Sequence, residues 1–177
     1  MSTDTPETGQ YLTFRLDGEL FALGISKVRE VLEFSSITRV PRTPDYMRGV
    51  INLRGNVVPV MDLKMKLGLG RTTKTIDTCV IITELVVDGE RTVLGALADS
   101  VQEVLELDPG QVAPPPRMGT RIETDCILGM GRREEDFIII LDIDRVLTSE
   151  ELRAAAGLQN GSEGAPASPA SAPPAAG

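Results

Sequence analysis

The chain repeats itself once, and this limits its fold more than any other feature. Residues 16–34 (LDGELFALGISKVREVLEF) match 87–107 (VDGERTVLGALADSVQEVLEL) once two residues are allowed as an insertion. Further along, GVINLRGNVVPVMDL from Gly49 aligns without gaps to GMGRREEDFIIILDI from Gly129. Separations of roughly 73 and 80 residues are too long for a solenoid and suit two copies of one small domain. Strands are short, turns frequent and helix scarce, so each copy reads as a small β-barrel. The 177 residues can bury a real core in one medium domain or two small ones.

Within the first copy, residues 41–63 (PRTPDYMRGVINLRGNVVPVMDL) carry the densest local instructions. Thr43-Pro44 reads as a helix cap before a first-turn proline, and Gly49 as the stop of that turn. Val50, Ile51 and Leu53 read as a strand. Arg54-Gly55-Asn56 turns the chain, and Val57, Val58, Val60 and Met61 return. Pro59 has no N–H to donate, which predicts an edge strand or a bulge. Asp62 is placed to cap a short helix running toward Gly68.

The remaining chain is predicted as follows. Residues 1–9 are polar and loose. Leu12, Phe14 and Leu16 alternate with polar residues as a half-buried strand, and Asp17-Gly18 is a hairpin turn leading to Phe21, Leu23 and Ile25. Ser26 is read as the cap of a short helix through Val28 and Glu30, with 31–40 extended after it. Residues 70–77 form a polar connector. Cys79 to Val87 is an apolar strand that Asp88-Gly89 turns back, and 101–107, 126–131 and 137–143 are further strands. Thr148 with Glu151 makes a capping box for a helix over 148–157, which Gly157 closes. Residues 158–177, mostly Ala, Pro, Ser and Gly, cannot offset their ordering entropy and are expected to be a disordered tail. The division is therefore a first barrel over about 10–69 and a second over about 78–147.

Aligning the copies sorts the residues. Asp62 matches Asp142, which favours a structural cap over a ligand. Glu30 matches Glu103. Arg54 matches Glu134 and Pro59 matches Ile139, so no common structural requirement is expected at those two positions, and their identity in the first copy is free to serve a partner.

Composition removes whole classes of chemistry. A net charge of −8 argues against nucleic acid and anionic membrane surfaces, which need clustered cations. With no histidine, imidazole acid–base catalysis, histidine metal ligation and phosphohistidine chemistry are all absent. Cys79 and Cys126 lack CxxC spacing and read as small buried hydrophobes. No signal peptide opens the chain, no apolar run approaches the roughly 20 residues of a membrane helix, and the sequon at Asn160 means nothing without export. The glycines at 68 and 70 and at 129 and 131 precede no long helix that could cradle phosphate. Asp142 and Asp144 read as a solvated turn, and 132–136 (RREED) as a charged hairpin tip. Four Phe and two Tyr are too few for an aromatic polyproline groove. No metal, cofactor or enzyme activity is expected, and the residues read as those of a connector.

The spaced pattern P-x-x-P-x-x-x-x-G-x-x-N-L-R-G-x-x-x-P-x-x-D-L in residues 41–63 resembles the signature of the CheW family of bacterial chemotaxis coupling proteins. The preceding GELFALGISKVREV is similar to that family's first hairpin, and the likeness covers roughly residues 10–150. It implies two five-stranded SH3-like barrels without catalysis. It also implies a cytoplasmic adaptor that bridges the tips of chemoreceptors to the regulatory domain of the histidine kinase CheA, recruited to arrays at the inner face of the membrane. Carried over by motif, the receptor side would include Val28, Glu30, Arg54, Gly55, Gly95 and Val101, with Arg54 and Glu30 as a charge pair. The kinase side would involve Ala113 and Met118, which replace the Arg and aromatic residue of some relatives. An adaptor of the same kind serving a motility or developmental pathway stays open as the alternative. With no histidine and no further domain in these 177 residues, a full kinase or a fusion to a receiver is not expected.

Overall fold

Three hairpins are pinned by two-residue turns in which both central residues have positive φ. They are Asp17 (+55°) with Gly18 (+83°), Arg54 (+53°) with Gly55 (+88°), and Asp88 (+53°) with Gly89 (+82°). Turns of this hand match the twist of the strands they join, which makes the three hairpins local decisions of the sequence. The computed structural model describes residues 9–34, 36–114 and 126–164.

The first turn joins β1 (Gly9–Leu16) to β2 (Glu19–Gly24), the second joins β4 (Met47–Leu53) to β5 (Asn56–Asp62), and the third joins β6 (Cys79–Val87) to β7 (Glu90–Ala98). Between them lies β3 (Val28–Glu33). After them come β8 (Ser100–Leu107), the short β9 (Val112–Ala113), and the hairpin of β10 (Ile127–Arg133) with β11 (Asp136–Leu141). Helices are few: α1 (Leu63–Lys66) follows β5, α2 (Ile143–Val146) follows β11, and α3 is Ser149–Gly164.

The strands form a six-stranded sheet, β8-β1-β2-β11-β10-β9, and a five-stranded sheet, β3-β6-β7-β5-β4. Corresponding strands of the two copies hold corresponding places, but the first hairpins are exchanged. The β1–β2 hairpin joins the strands of the second copy, and β6–β7 joins those of the first. Four pairings make the exchange: two antiparallel, β1 with β8 and β3 with β6, and two short parallel ones, Phe21–Leu23 with Ile139–Leu141 and Gly95–Leu97 with Val60–Asp62. The boundaries 10–69 and 78–147 therefore do not coincide with the two sheets. Contiguity in sequence cannot reveal such an exchange, because each hairpin is complete before it docks.

Alternate residues of the central strands feed different cores. Ile81 and Leu85 of β6 enter a cluster between the sheets with Phe14, Phe21, Leu23, Met61 and Leu141, while Val80 and Ile82 enter a smaller cluster inside the five-stranded sheet. Ile138 and Ile140 of the six-stranded sheet likewise form a separate cluster with Ala22 and Leu107. Burial on both faces explains why β6 opens with the apolar run Cys79 to Ile82 before Thr83 and Glu84 interrupt it.

Several local expectations give way to tertiary contacts. Thr43-Pro44 opens no helix; the Met47 amide donates to the Pro44 carbonyl at 2.9 Å in a single turn, and the Thr43 hydroxyl donates to the Val40 carbonyl. Gly49 stops nothing. It lies within β4, where a Cβ would strike the Thr38 carbonyl, because Thr38 and Val50 exchange backbone hydrogen bonds of 2.9 and 2.8 Å. Ser26 caps no helix, since a 3-10 turn at Ile25–Lys27 leads directly into β3. Pro59 is not on an edge strand: β5 is flanked by β4 and β7, and the parallel pairing with β7 begins one residue later, at Val60. The missing N–H is harmless there.

The Thr148–Glu151 capping box is present, with reciprocal bonds of 2.8 and 3.1 Å. The helix it opens does not close at Gly157 but continues to Gly164, so 158–164 is helical backbone rather than tail. The remainder of the expected tail, and the expected loose residues 1–8, lie outside the described residues.

Candidate functional site

Arg54 and Glu30 come from opposite edges of the five-stranded sheet. Glu30 is on β3 at one edge, and Arg54 is in the turn at the tip of the β4–β5 hairpin, whose β4 is the other edge. They meet as a fork on a carboxylate, Nη1 to Oε2 at 2.7 Å and Nη2 to Oε1 at 2.8 Å. The sheet must curl for its edges to come so close. β3 and β4 are not paired with each other; the Thr38–Val50 bridge and this ion pair connect the two margins.

The surroundings explain the placement. Glu30 shares the inward side of β3 with Leu32, which packs on the cluster inside the sheet. One row of pairings crosses all five strands from it, through Ile82, Gly95 and Val60 to Gly49. The carboxylate thus stands at the mouth of an apolar interior, with its side chain 26% exposed, and Arg54 covers it from solvent at 68%. Hydrogen bonding from Arg54 holds the Glu30 carboxyl below its ordinary pKa, and the same bond raises that of the guanidinium. The turn itself is held by the Gly55 amide, which donates to Asn52 Oδ1 at 2.8 Å. Beside it, Glu84 on β6 lies 3.8 Å from Arg29 and 3.3 Å from Arg91.

Arg54 and Glu134 do share a backbone requirement, against expectation. Their φ values are +53° and +54°, each at the first position of its hairpin turn. What they do not share is a partner. In the second copy the positions matching Glu30 and Arg54 are Glu103 and Glu134, both acidic, so no equivalent ion pair can form between them.

Of the other residues expected at a receptor face, Gly55 adjoins Arg54, and Val28 lies two residues before Glu30, packed against the core between the sheets. Val101 packs on that core too, but from β8. Its backbone is within hydrogen-bonding reach of Cys79, three residues from Ile82 along β6, so roughly 10 Å separates it from the Glu30 row. Gly95 is buried. A Cβ there would lie 2.9 Å from Val80 Cγ1 and 3.2 Å from Val60 Cγ2, so this glycine lets two valines close over β7. Ala113 is exposed on β9, at an edge of the other sheet, and Met118 lies outside the described residues.

The alignment did not disclose what holds the β4–β5 hairpin from below. Asp62 is fully buried and accepts from Arg48 Nη1 at 2.9 Å, the Thr72 amide at 2.9 Å and the Thr72 hydroxyl at 2.6 Å. It also caps α1, as Asp142 caps α2, in keeping with the structural role read from the repeat. Thr72 belongs to the polar connector, which gave no hint that one of its threonines is buried. A second anchor fixes α3. Lys66 donates to both Glu151 oxygens at 2.7 Å, and its ammonium lies 4.6 Å from the Tyr46 ring centre. Burial and the Glu151 carboxylate push the Tyr46 hydroxyl well above its usual range. Burial pushes Glu151 up, but hydrogen bonds from Lys66, the Thr148 amide and Tyr46 outweigh it and leave the carboxyl low.

Neither cysteine is in a disulfide; Cys126 is buried as expected, but Cys79 is only half-buried, its thiol donating to the Asp77 carbonyl at 3.3 Å. Among the described residues no group of His, Cys, Asp and Glu could hold a metal ion. No helix among them is long and apolar enough to cross a membrane.

Comparison with known proteins bears on this arrangement. The family described as "CheW-like domain" matches residues 10–151. "Chemotaxis protein CheW" of Klebsiella aerogenes is 35% identical over 143 residues, 81% of this chain and 84% of that protein. The protein of the same name from Rhizobium meliloti is 30% identical over 146 residues, 82% and 92% of the two chains. The crystal structure of scaffolding protein TtCheW from Thermoanaerobacter tengcongensis superposes with a TM-score of 0.68 at 35% identity, covering 80% of this chain and 88% of that one. By its match over residues 10–151, the chain belongs to the CheW-like domain family.

Proposed function

We propose that this protein is a chemotaxis scaffold that couples chemoreceptors to a CheA-type histidine kinase, binding both and catalysing nothing. The family match across 10–151 and the relatives named as chemotaxis and scaffolding proteins support the coupling role. The observation that carries the site is the forked Arg54–Glu30 pair at the mouth of the five-stranded sheet. A turn needs no arginine, yet this one presents a guanidinium oriented by a neighbour and still largely open to solvent. Such a group is organised to meet a partner at little further entropic cost.

In this reading each sheet curls into an SH3-like barrel around its own small cluster. The receptor tip lies along Val28, Glu30, Arg54 and Gly55 and reaches Val101, while Gly95 supports the sheet from within without touching the receptor. Ala113, with Met118 in the following loop, faces the kinase regulatory domain. The protein works at the cytoplasmic face of the membrane without entering it.

Co-sedimentation with a receptor signalling fragment and a CheA-type kinase tests this. The wild-type chain is expected to bring the kinase down with the receptor and to raise its autophosphorylation. A folded protein that joins neither partner would refute the proposal.

A further inference from the structure

A cleft of about 530 Å³ opens at the other end of β4 from Arg54, bordered by the crossing loop after β3 and by Arg71. The length of β4, Met47–Leu53, separates it from Arg54 by roughly 20 Å at about 3.3 Å per residue. Its floor is apolar, from Phe34, Ile37, Val40 and Met47, and its rim carries Arg39, Arg42 and Arg71.

Four guanidinium groups gather here in a chain whose net charge is −8. Arg48 is committed to the buried Asp62 and to the Thr72 carbonyl. Arg39, Arg42 and Arg71 are exposed and form no ion pair among the described residues. Asp45 is the acid on the lining, too little to balance them. Arg42 adds a second kind of observation. It follows Pro41 in a tight turn at φ +66°, where glycine or asparagine is favoured over a residue with a longer side chain. An arginine stands there against the preference of the backbone, and its side chain borders the cleft.

The geometry points to a docking cleft for an acidic, extended peptide segment of a partner protein. Its carboxylates would be forked by Arg39, Arg42 and Arg71, with an apolar side chain between them on the floor. The floor and the volume, within the usual range of about 300–1,000 Å³ for ligand sites, favour a short peptide over a small inorganic anion. This inference stands apart from the coupling reading, because it uses none of the residues assigned there.

The test is an NMR titration of the isotopically labelled full chain with an acetylated hexapeptide alternating glutamate and leucine. Saturable shifts are expected for amides in 34–48 and at Arg71, weakened at least ten-fold by Arg39→Gln with Arg71→Gln. Arg42→Gly is expected to raise the thermal midpoint while lowering affinity several-fold, a pairing that a purely structural arginine would not produce. Equal binding of the glutamine-for-glutamate peptide, shifts centred elsewhere, displacement by equimolar pyrophosphate, or no binding at millimolar peptide would each overturn the proposal.

Discussion

Arg54 and Glu30 tie together two edges of one sheet that exchange no strand hydrogen bonds, through a bidentate contact of 2.7 and 2.8 Å. The pair sits on the surface, where ion pairs contribute little to folding. Its worth lies in holding a guanidinium in one orientation.

Arg54→Glu is therefore expected to fold. The substitution keeps a side chain that Glu134 shows to be compatible with the same positive φ. It also sets two carboxylates face to face, so receptor-coupled kinase activation should be lost while the circular dichroism spectrum is retained. Glu30→Arg should fail in the same way. The double reversal should recover part of the activity if the two residues act mainly on one another, and none if Arg54 itself contacts a partner. Normal kinase activation by folded Arg54→Glu would sink the assignment.

Acid should release this pair. The Glu30 carboxyl is lowered from 4.5 by its bond to Arg54, so the pairing is fully present above the ordinary carboxylate range and is lost as pH falls through the depressed folded value. Carbon-detected NMR should place the Glu30 midpoint below 4.5 and return it toward that value in Arg54→Gln. An unchanged midpoint in the variant would mean the fork does not persist in solution.

Asp62→Ala should be among the most damaging single changes. It strands Arg48, whose side chain is 17% exposed, and removes the partner of Thr72; breaking a buried pair on one side costs about 3–5 kcal/mol. Thr72→Val should cost less, about 1–2 kcal/mol, because the backbone bond to Asp62 survives. Urea unfolding of both variants checks the order, and a milder Asp62→Ala would show that the network is not holding the connector.

Gly95→Ala separates packing from recognition. The added methyl meets Val80 and Val60, whose branched side chains have little rotamer freedom, so overpacking of about 1–3 kcal/mol is expected in thermal unfolding. Receptor binding measured well below the midpoint should be unchanged. A variant of normal stability that no longer binds receptor would return Gly95 to the interface itself.

Much of this was legible in the residues because it depends on near neighbours. The Asp17-Gly18 and Asp88-Gly89 turns, the buried Leu12, Phe14 and Leu16 face of β1, the Asp62 and Asp142 caps and the Thr148–Glu151 box each need contacts within a few positions. Periodicity and turn chemistry express such contacts directly. The errors share one origin. Thr43-Pro44 and Gly49 carry good helix signals, but Gly49 is needed where the Thr38 backbone crosses, and Gly157 does not end α3.

By itself, then, the sequence determined that there are two copies of one unit, where most hairpins turn, and which family they resemble. The tertiary structure alone decided that the hairpins change places, that the connector threonine Thr72 is buried, and that four arginines gather around one cleft. The physical reason is range. A hairpin closes within about ten residues, whereas Phe21 finds Ile139 and Val60 finds Gly95 by docking finished elements. That docking is selected by total burial in three cores rather than by any pattern within one segment.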